Sequence, residues 1–413
     1  MAVFRRCLAG ALATLAVAMS ATAQDTLAIE VLKAPPPVLL WERVVDVPVA
    51  TRPAGEAHYW AGPLLHLRAL GARGDGRALI VAGAASGEAV RLFGVRGDGR
   101  DAFSMPLPAP ADVPKAALRH ATLNGEGRDK TWALLTWRPA GEQDAGPIAT
   151  QLIGIEGPEY RTTSRQLPRY IPPGRSEIDE RQANVLRRLR DGSLLAGGTA
   201  YYGPPYWWFA RFTVEGKLFH ESKSRGFPDF VEDARGNEDG GYSLLMVDAE
   251  RGGAPATLRR YGADGKLTTR RLFEDLPAYG YCSVLTGANT HLRYRPESER
   301  KPGDKSDTFA RGRLVLVDAY GAIARRIGMG PNECTSLSRT GDGIVLVATR
   351  SEAGDTPPMI VAGFTPAGAQ RWRLDVPSGI AKVEPLADGG VLVARPDVAD
   401  GKPVVKLARY RAP

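Results

Sequence analysis

The chain carries three cysteines, and they pose the first chemical question. Cys7 lies ahead of an apolar run at the N-terminus, which leaves Cys282 and Cys334 as an even pair; in an oxidising compartment the expectation is a disulfide between them. The histidines, His58, His66, His120, His220 and His291, are scattered, and no two stand at metal-ligand spacing, so neither a metal centre nor a cofactor is expected. The signatures of a nucleophile elbow, a zinc-protease helix, a phosphate loop and a dinucleotide fingerprint are missing, and Gly83-Ala84-Ala85-Ser86-Gly87 has the wrong spacing for an elbow and reads as a turn. Two chemistries remain. Carboxylates such as Asp229, Glu232 and Glu333, with His58, would do acid–base work if they converged on one substrate. Aromatics in loops would bind by stacking, and the candidates are His58, Tyr59, Trp60, Tyr201, Tyr202 and Tyr281, joined by Asp229 and Glu333 as polar contacts. Tyr201 and Tyr202 precede Gly203-Pro204-Pro205 in a predicted loop, where a ring is free to stack on a sugar or a partner side chain. Trp207, Trp208 and Phe209 follow on a strand, with Trp208 facing one way and the other two the opposite way, and read as core.

The elements that must position these residues recur along the chain. The unit is an apolar strand, an Asp-Gly turn, a second apolar strand, a variable loop, a third strand, a Gly-containing turn and a fourth strand. It runs through Asp191-Gly192 and Glu215-Gly216, and again through Asp239-Gly240 and Asp264-Gly265. The same grammar marks Asp75-Gly76 with Asp98-Gly99, Asp342-Gly343 with Ala367-Gly368, and Asp388-Gly389; two further units are degenerate. First turns recur at roughly 50 residues, the spacing of four-stranded propeller blades. The Asp-Gly pairs read as tight two-residue hairpins whose positive φ they supply; as calcium ligands they lack the spaced Asp/Asn series. The two ends are complementary: the last unit stops after its third strand near Tyr410, and Leu39–Val45 resembles a fourth strand with no first three before it. The expected fold is therefore all-β, a seven-bladed β-propeller closed by an N-terminal strand, which leaves no sheet edge open.

Arg5 and Arg6, the apolar run Leu8–Met19 and Ala21-Thr22-Ala23 read as a signal peptide, with cleavage near Ala23. The expected organisation is signal peptide 1–23, linker 24–38 and propeller 39–413, in the periplasm or secreted, not membrane-spanning, and monomeric. The formal charge is +8, but basic pairs such as Arg259-Arg260, Arg270-Arg271 and Arg325-Arg326 are dispersed and read as solvated faces, so no nucleic-acid partner is expected.

Phe364-Thr365-Pro366-Ala367-Gly368-Ala369-Gln370-Arg371-Trp372 and Ala210-Arg211-Phe212-Thr213-Val214-Glu215-Gly216-Lys217-Leu218 resemble the repeats of bacterial PQQ-like propellers of the cell envelope. The resemblance spans nearly the whole mature chain. The tryptophan-docking pattern and adjacent cysteines of the quinoprotein enzymes are absent, so it implies a fold and an envelope setting rather than quinone chemistry. The expected function is a non-catalytic module that binds or scaffolds a protein or glycan partner. The alternative is a periplasmic enzyme of hydrolase, lyase or sugar-oxidising type with its site at the central channel mouth.

Overall fold

A computed structural model describes residues 29–31, 34–45, 67–73, 76–82, 90–100, 102–113, 116–124, 130–139, 149–157, 161–167, 180–201, 205–223, 230–247, 255–277, 282–299, 308–330, 332–340, 343–350, 359–376, 381–400 and 402–413. The expected signal peptide lies outside them. Two strands come first, β1 (Ile29–Val31) and β2 (Val38–Val45). Blade one is β3 (Leu67–Ala72), β4 (Ala78–Ala82), β5 (Arg91–Val95) and β6 (Ala102–Pro106), and blade two is β7 (Ala116–Asn124), β8 (Lys130–Pro139), β9 (Ala149–Glu156) and β10 (Arg161–Gln166). Blade three is β11 (Glu180–Arg188), β12 (Leu194–Tyr201), β13 (Pro205–Phe212) and β14 (Leu218–Lys223), and blade four is β15 (Phe230–Gly236), β16 (Tyr242–Val247), β17 (Pro255–Tyr261) and β18 (Leu267–Pro277). Blade five is β19 (Ser283–Leu285), β20 (His291–Glu299), β21 (Thr308–Val317) and β22 (Ile323–Gly330), and blade six is β23 (Asn332–Thr340), β24 (Gly343–Arg350), β25 (Met359–Phe364) and β26 (Gln370–Val376). Blade seven is β27 (Lys382–Pro385), β28 (Val391–Ala399), β29 (Lys402–Arg411) and, outermost, β2.

The sequence forms these strands because each middle strand is an apolar run that can be buried on both faces. β4 and β25 are buried at every position, whereas the outermost β10 alternates between exposed and half-buried, the pattern of an edge with one face to solvent. The buried residues fall into seven clusters, and each spans one blade boundary: Ile80 with Leu392 and Leu407, for example, joins blades one and seven, and Leu346 and Ile360 with Leu292 join blades six and five. The core is thus a ring of slabs between sheets. The innermost strands each touch the next around the circle, with β27 touching β3, and together form the wall of a central channel.

Closure is as expected. β2 pairs antiparallel with β29 from Val38↔Arg411 to Val45↔Val405. Trp41 lies against the cluster between blades seven and one, and its indole nitrogen donates to Gly97 O at 2.8 Å. The segment expected to be a linker holds β1, which runs parallel to β22 through Ile29↔Arg326 and Val31↔Gly328 and gives blade five a fifth strand. Between them, Pro35 O accepts from Arg373 N of blade six at 3.1 Å. The N-terminal segment therefore straps the rims of three consecutive blades.

The hairpins differ from the two-residue turns expected. At Asp191-Gly192, Leu189 N donates to Ser193 O at 2.8 Å and Gly192 N to Leu189 O at 3.0 Å, which encloses three residues. Only the glycine takes positive φ, 85° at Gly192, as in a type I turn closed by a glycine bulge. The aspartate keeps its ordinary φ and acts through its side chain: Asp191 Oδ1 accepts from Ser193 N at 3.0 Å, and its Oδ2 pairs with Arg211 on the third strand at 2.5 Å. Asp239 with Arg260 and Asp388 with Arg409 repeat this pairing at 2.6 and 3.0 Å. Many arginines are thus fastened rather than simply solvated: Arg211 Nη1 reaches Ala263 O of the next blade at 2.6 Å and Arg325 reaches Ala367 O at 3.4 Å.

Candidate binding site on the channel wall

The innermost strands share one irregularity. β3, β7, β11, β15 and β23 each carry a bulge that leaves one residue unopposed by the second strand: Arg68, Arg119, Asn184, Glu232 and Thr335. A bulge bends its strand and re-aims a side chain. Repeated at the same point of successive blades, it sets a ring of polar groups at one level of the channel wall. Side chains next to these bulges bridge blade to blade. His120 Nε2 contacts Ala183 O at 2.7 Å, Asn184 Nδ2 donates to Val231 O at 3.4 Å, Asp233 Oδ2 accepts from Leu285 N at 2.8 Å, and Lys382 Nζ donates to Arg68 O at 3.0 Å.

The ring is divided in charge. On one side, blades seven, one and two bring together Lys382, Arg68, Arg119 and His120. Arg119 is exposed and the other three are half-buried. The charges that act most strongly on this group are its own members. Burial and then the neighbouring Arg119 press the Arg68 guanidinium below its ordinary range. Burial, and after it Arg68, pushes the Lys382 ammonium down to about 8. Burial holds His120 below its usual value despite its bond to Ala183 O, and Lys382 and Arg68 add to this, so at neutral pH it is an uncharged ring. Arg68 Nε is buried without a hydrogen-bond partner.

On the other side, β15 of blade four carries two carboxylates, Glu232 and Asp233. Asp233 is a bridge: it accepts from Leu285 N and faces Arg187 Nη2 at 3.5 Å. Glu232 is 8% exposed, and burial pushes its carboxyl up to about 7 against the pull of Arg293 and Ser283. Neither of its oxygens makes a well-formed hydrogen bond, nor does any guanidinium nitrogen of Arg293, which is 1% exposed. His291 beside them is fully buried against Phe273, with ring centroids 4.7 Å apart, and both its nitrogens lack partners.

Of the residues singled out from sequence, His58, Tyr59, Trp60, Tyr202, Asp229 and Tyr281 lie outside the described residues. Tyr201 was expected in a loop; it instead ends β12, opposite Pro205 on β13, because the apolar run extends the hairpin to the proline. Glu333, expected in a connection, is an exposed residue of β23 opposite Thr349. Trp208 and Phe209 are fully buried in different clusters, on the two faces of blade three. Cys282 and Cys334 form the expected disulfide between blades five and six, with Cα atoms 6.1 Å apart. Among the described residues no group of three or more metal-ligating side chains occurs. Sequence reading missed Arg68, Arg119 and Lys382. The available signal was an arginine interrupting an otherwise apolar first strand at the same place in two units, Leu67-Arg68-Ala69-Leu70 and Leu118-Arg119-His120-Ala121.

No family model matches the chain. No curated protein matches it either. Among solved structures it is similar to the polysaccharide lyase Uly1, with a TM-score of 0.52 and 10% identity over 91% of this chain and 99% of that one. It is also similar to the β-propeller domain of the Trilobed protease from Pyrococcus furiosus, with a TM-score of 0.47 and 9% identity over 83% and 92% of the two chains. A prolyl endopeptidase matches with a TM-score of 0.44 and 15% identity, and the chain spans 50% of that protein. At such identities the likeness shows a shared fold and nothing of the chemistry. The resemblance to PQQ-like envelope propellers accordingly stands at the level of architecture, seven blades in a ring.

Proposed function

We propose that the protein is an exported, non-catalytic propeller that binds a glycan of the cell envelope at its central channel. One observation carries the reading: Lys382, Arg68 and Arg119 converge on a rigid wall from three adjacent blades, and the strongest charges acting on Lys382 and Arg68 are positive. Like charges gathered at one place are costly, and an anionic ligand offsets the cost. The disulfide supports export, since such bonds persist in oxidising compartments. His58, Tyr59, Trp60, Tyr202, Asp229 and Tyr281, with Tyr201 and Glu333 at strand ends, belong to this reading as contacts around the channel mouth. A glycan is preferred to a folded partner because two of the three cations are recessed.

The catalytic alternative rests on Glu232, whose carboxyl titrates near neutrality as a general acid should. Its burial against Arg293 argues for a structural place. The test is electrophoresis of the full chain through gels containing polysaccharide extracted from the envelope, with chain-length analysis of the same polysaccharide afterwards. Retardation with unchanged chain length is expected. Shortened chains would establish an enzyme, and no retardation would remove the binding reading.

A further inference from the structure

The positive side of the channel wall is a built recess rather than a surface charge run. Its cations come from three separate strands, β27, β3 and β7, and two of the positions are bulge residues. Lys382 is fixed by its bond to Arg68 O, so the ammonium and the Arg68 guanidinium are held near one another by the fold. His120 is oriented by Ala183 O and Thr122, at 2.7 and 3.1 Å from its Nε2. That bond places the ring proton on Nε2 and leaves Nδ1 as an acceptor. Arg68 has a buried Nε with no partner in the protein, and an unsatisfied guanidinium donor is paired best by an oxyanion that accepts two parallel bonds.

We propose that Arg68, Arg119 and Lys382 form a binding site for the carboxylate of an acidic, uronate-type glycan. This rests on the glycan-binding reading above and adds to it the chemical group recognised. The half-buried Arg68 and Lys382 are reached by a thin substituent entering the channel, while the exposed Arg119 meets it from the solvent side. His120 Nδ1 accepts a hydroxyl of the same sugar. Carboxylate binding would also restore the proton affinity that burial and Arg68 take from Lys382. Binding above pH 8 is therefore accompanied by proton uptake, against the surrounding Arg68, Arg119 and uncharged His120.

The experiment is calorimetric titration of the full chain with trigalacturonate, with its fully methyl-esterified form and with hexaglutamate. Trigalacturonate is expected to bind at least ten-fold more tightly than the ester, and more tightly than hexaglutamate. Arg119→Ala, at an exposed position, is expected to weaken it at least ten-fold with an unchanged melting temperature. Lys382→Met is expected to abolish the proton uptake seen at pH 8.5 in two buffers of different ionisation enthalpy. Equal affinity for acid and ester, or unaltered binding by Arg119→Ala, would overturn the proposal. Hexaglutamate binding as tightly as trigalacturonate would overturn its assignment to a glycan. If the envelope polysaccharide still retards the protein while acid and ester bind alike, the carboxylate assignment falls and the glycan-binding reading survives.

Discussion

Glu232 and His291, each acted on by Arg293 where blades four and five meet, titrate in opposite senses. The Glu232 carboxyl is raised from 4.5 to about 7, so the folded protein holds this proton more tightly than the unfolded chain. Its contribution to stability is complete below pH 4.5 and is lost as pH rises through 7, an effect of about 3 kcal/mol. His291 is lowered from 6.5 to about 3 by burial, with Arg293 adding to it; its contribution is complete above 6.5 and is lost as pH falls through 3. The two slopes cancel between 4.5 and 6.5, so together these two groups give a plateau of stability over that range. Glu232→Gln keeps the shape and removes the ionisation, so urea unfolding should show the variant equal to the parent near pH 4.5 and more stable by up to about 3 kcal/mol at pH 8. A variant less stable than the parent at pH 8 would mean that the ionised carboxylate, paired to Arg293, holds this interface. Little of this was legible in the sequence. Glu232 was visible as a carboxylate and His291 as an isolated histidine, but burial and the absence of partners belong to the packing of two sheets whose strands lie about fifty residues apart in the chain.

At the level of elements, the turns and strands were legible because their causes are local. A glycine at positive φ after an aspartate, between apolar runs, specifies a hairpin wherever it occurs, and Gly192, Gly240 and Gly389 take φ of 85°, 80° and 80°. The loop length was misjudged for a physical reason: Asp-Gly satisfies both a two-residue turn and a three-residue turn with a glycine bulge, and the register across the strands selects the second. Closure was legible from the complementary ends, whereas β1 was not, since three residues in parallel pairing carry no periodic signal. The side chains that fasten β2 include Trp41, which packs on the core between blades seven and one and bonds Gly97 O, Arg43, whose Nη1 donates to Gly99 O at 2.6 Å, and Glu42, which meets Arg395 at 3.2 Å and Lys406 at 3.4 Å. Trp41→Ala should cost about 3 kcal/mol, through lost burial and the lost indole hydrogen bond. Glu42→Ala should cost less than about 1 kcal/mol, because its pairs are partly exposed. Denaturant midpoints of the two variants check the order; a Glu42→Ala cost equal to that of Trp41→Ala would contradict it.

At the scale of the molecule, the ring is made of seven equivalent boundaries, and the channel is where they differ. The disulfide ties blade five to blade six through a loop of 52 residues, for which the chain-entropy model gives about 4 kcal/mol. Four further boundaries at the wall are held by side chains on main-chain atoms: His120 joins blade two to three, Asn184 three to four, Asp233 four to five and Lys382 seven to one. A rigid wall of this kind keeps cations together that would otherwise separate, which is why the recess between blades seven, one and two is where a ligand is expected to act. Hydrogen–deuterium exchange of the full chain, with and without saturating trigalacturonate, tests this most directly. The account predicts slowed exchange in β3, β7 and β27 and no change in the outermost strands. Protection confined to the outer rims, or to β15 and β19 across the channel, would contradict it.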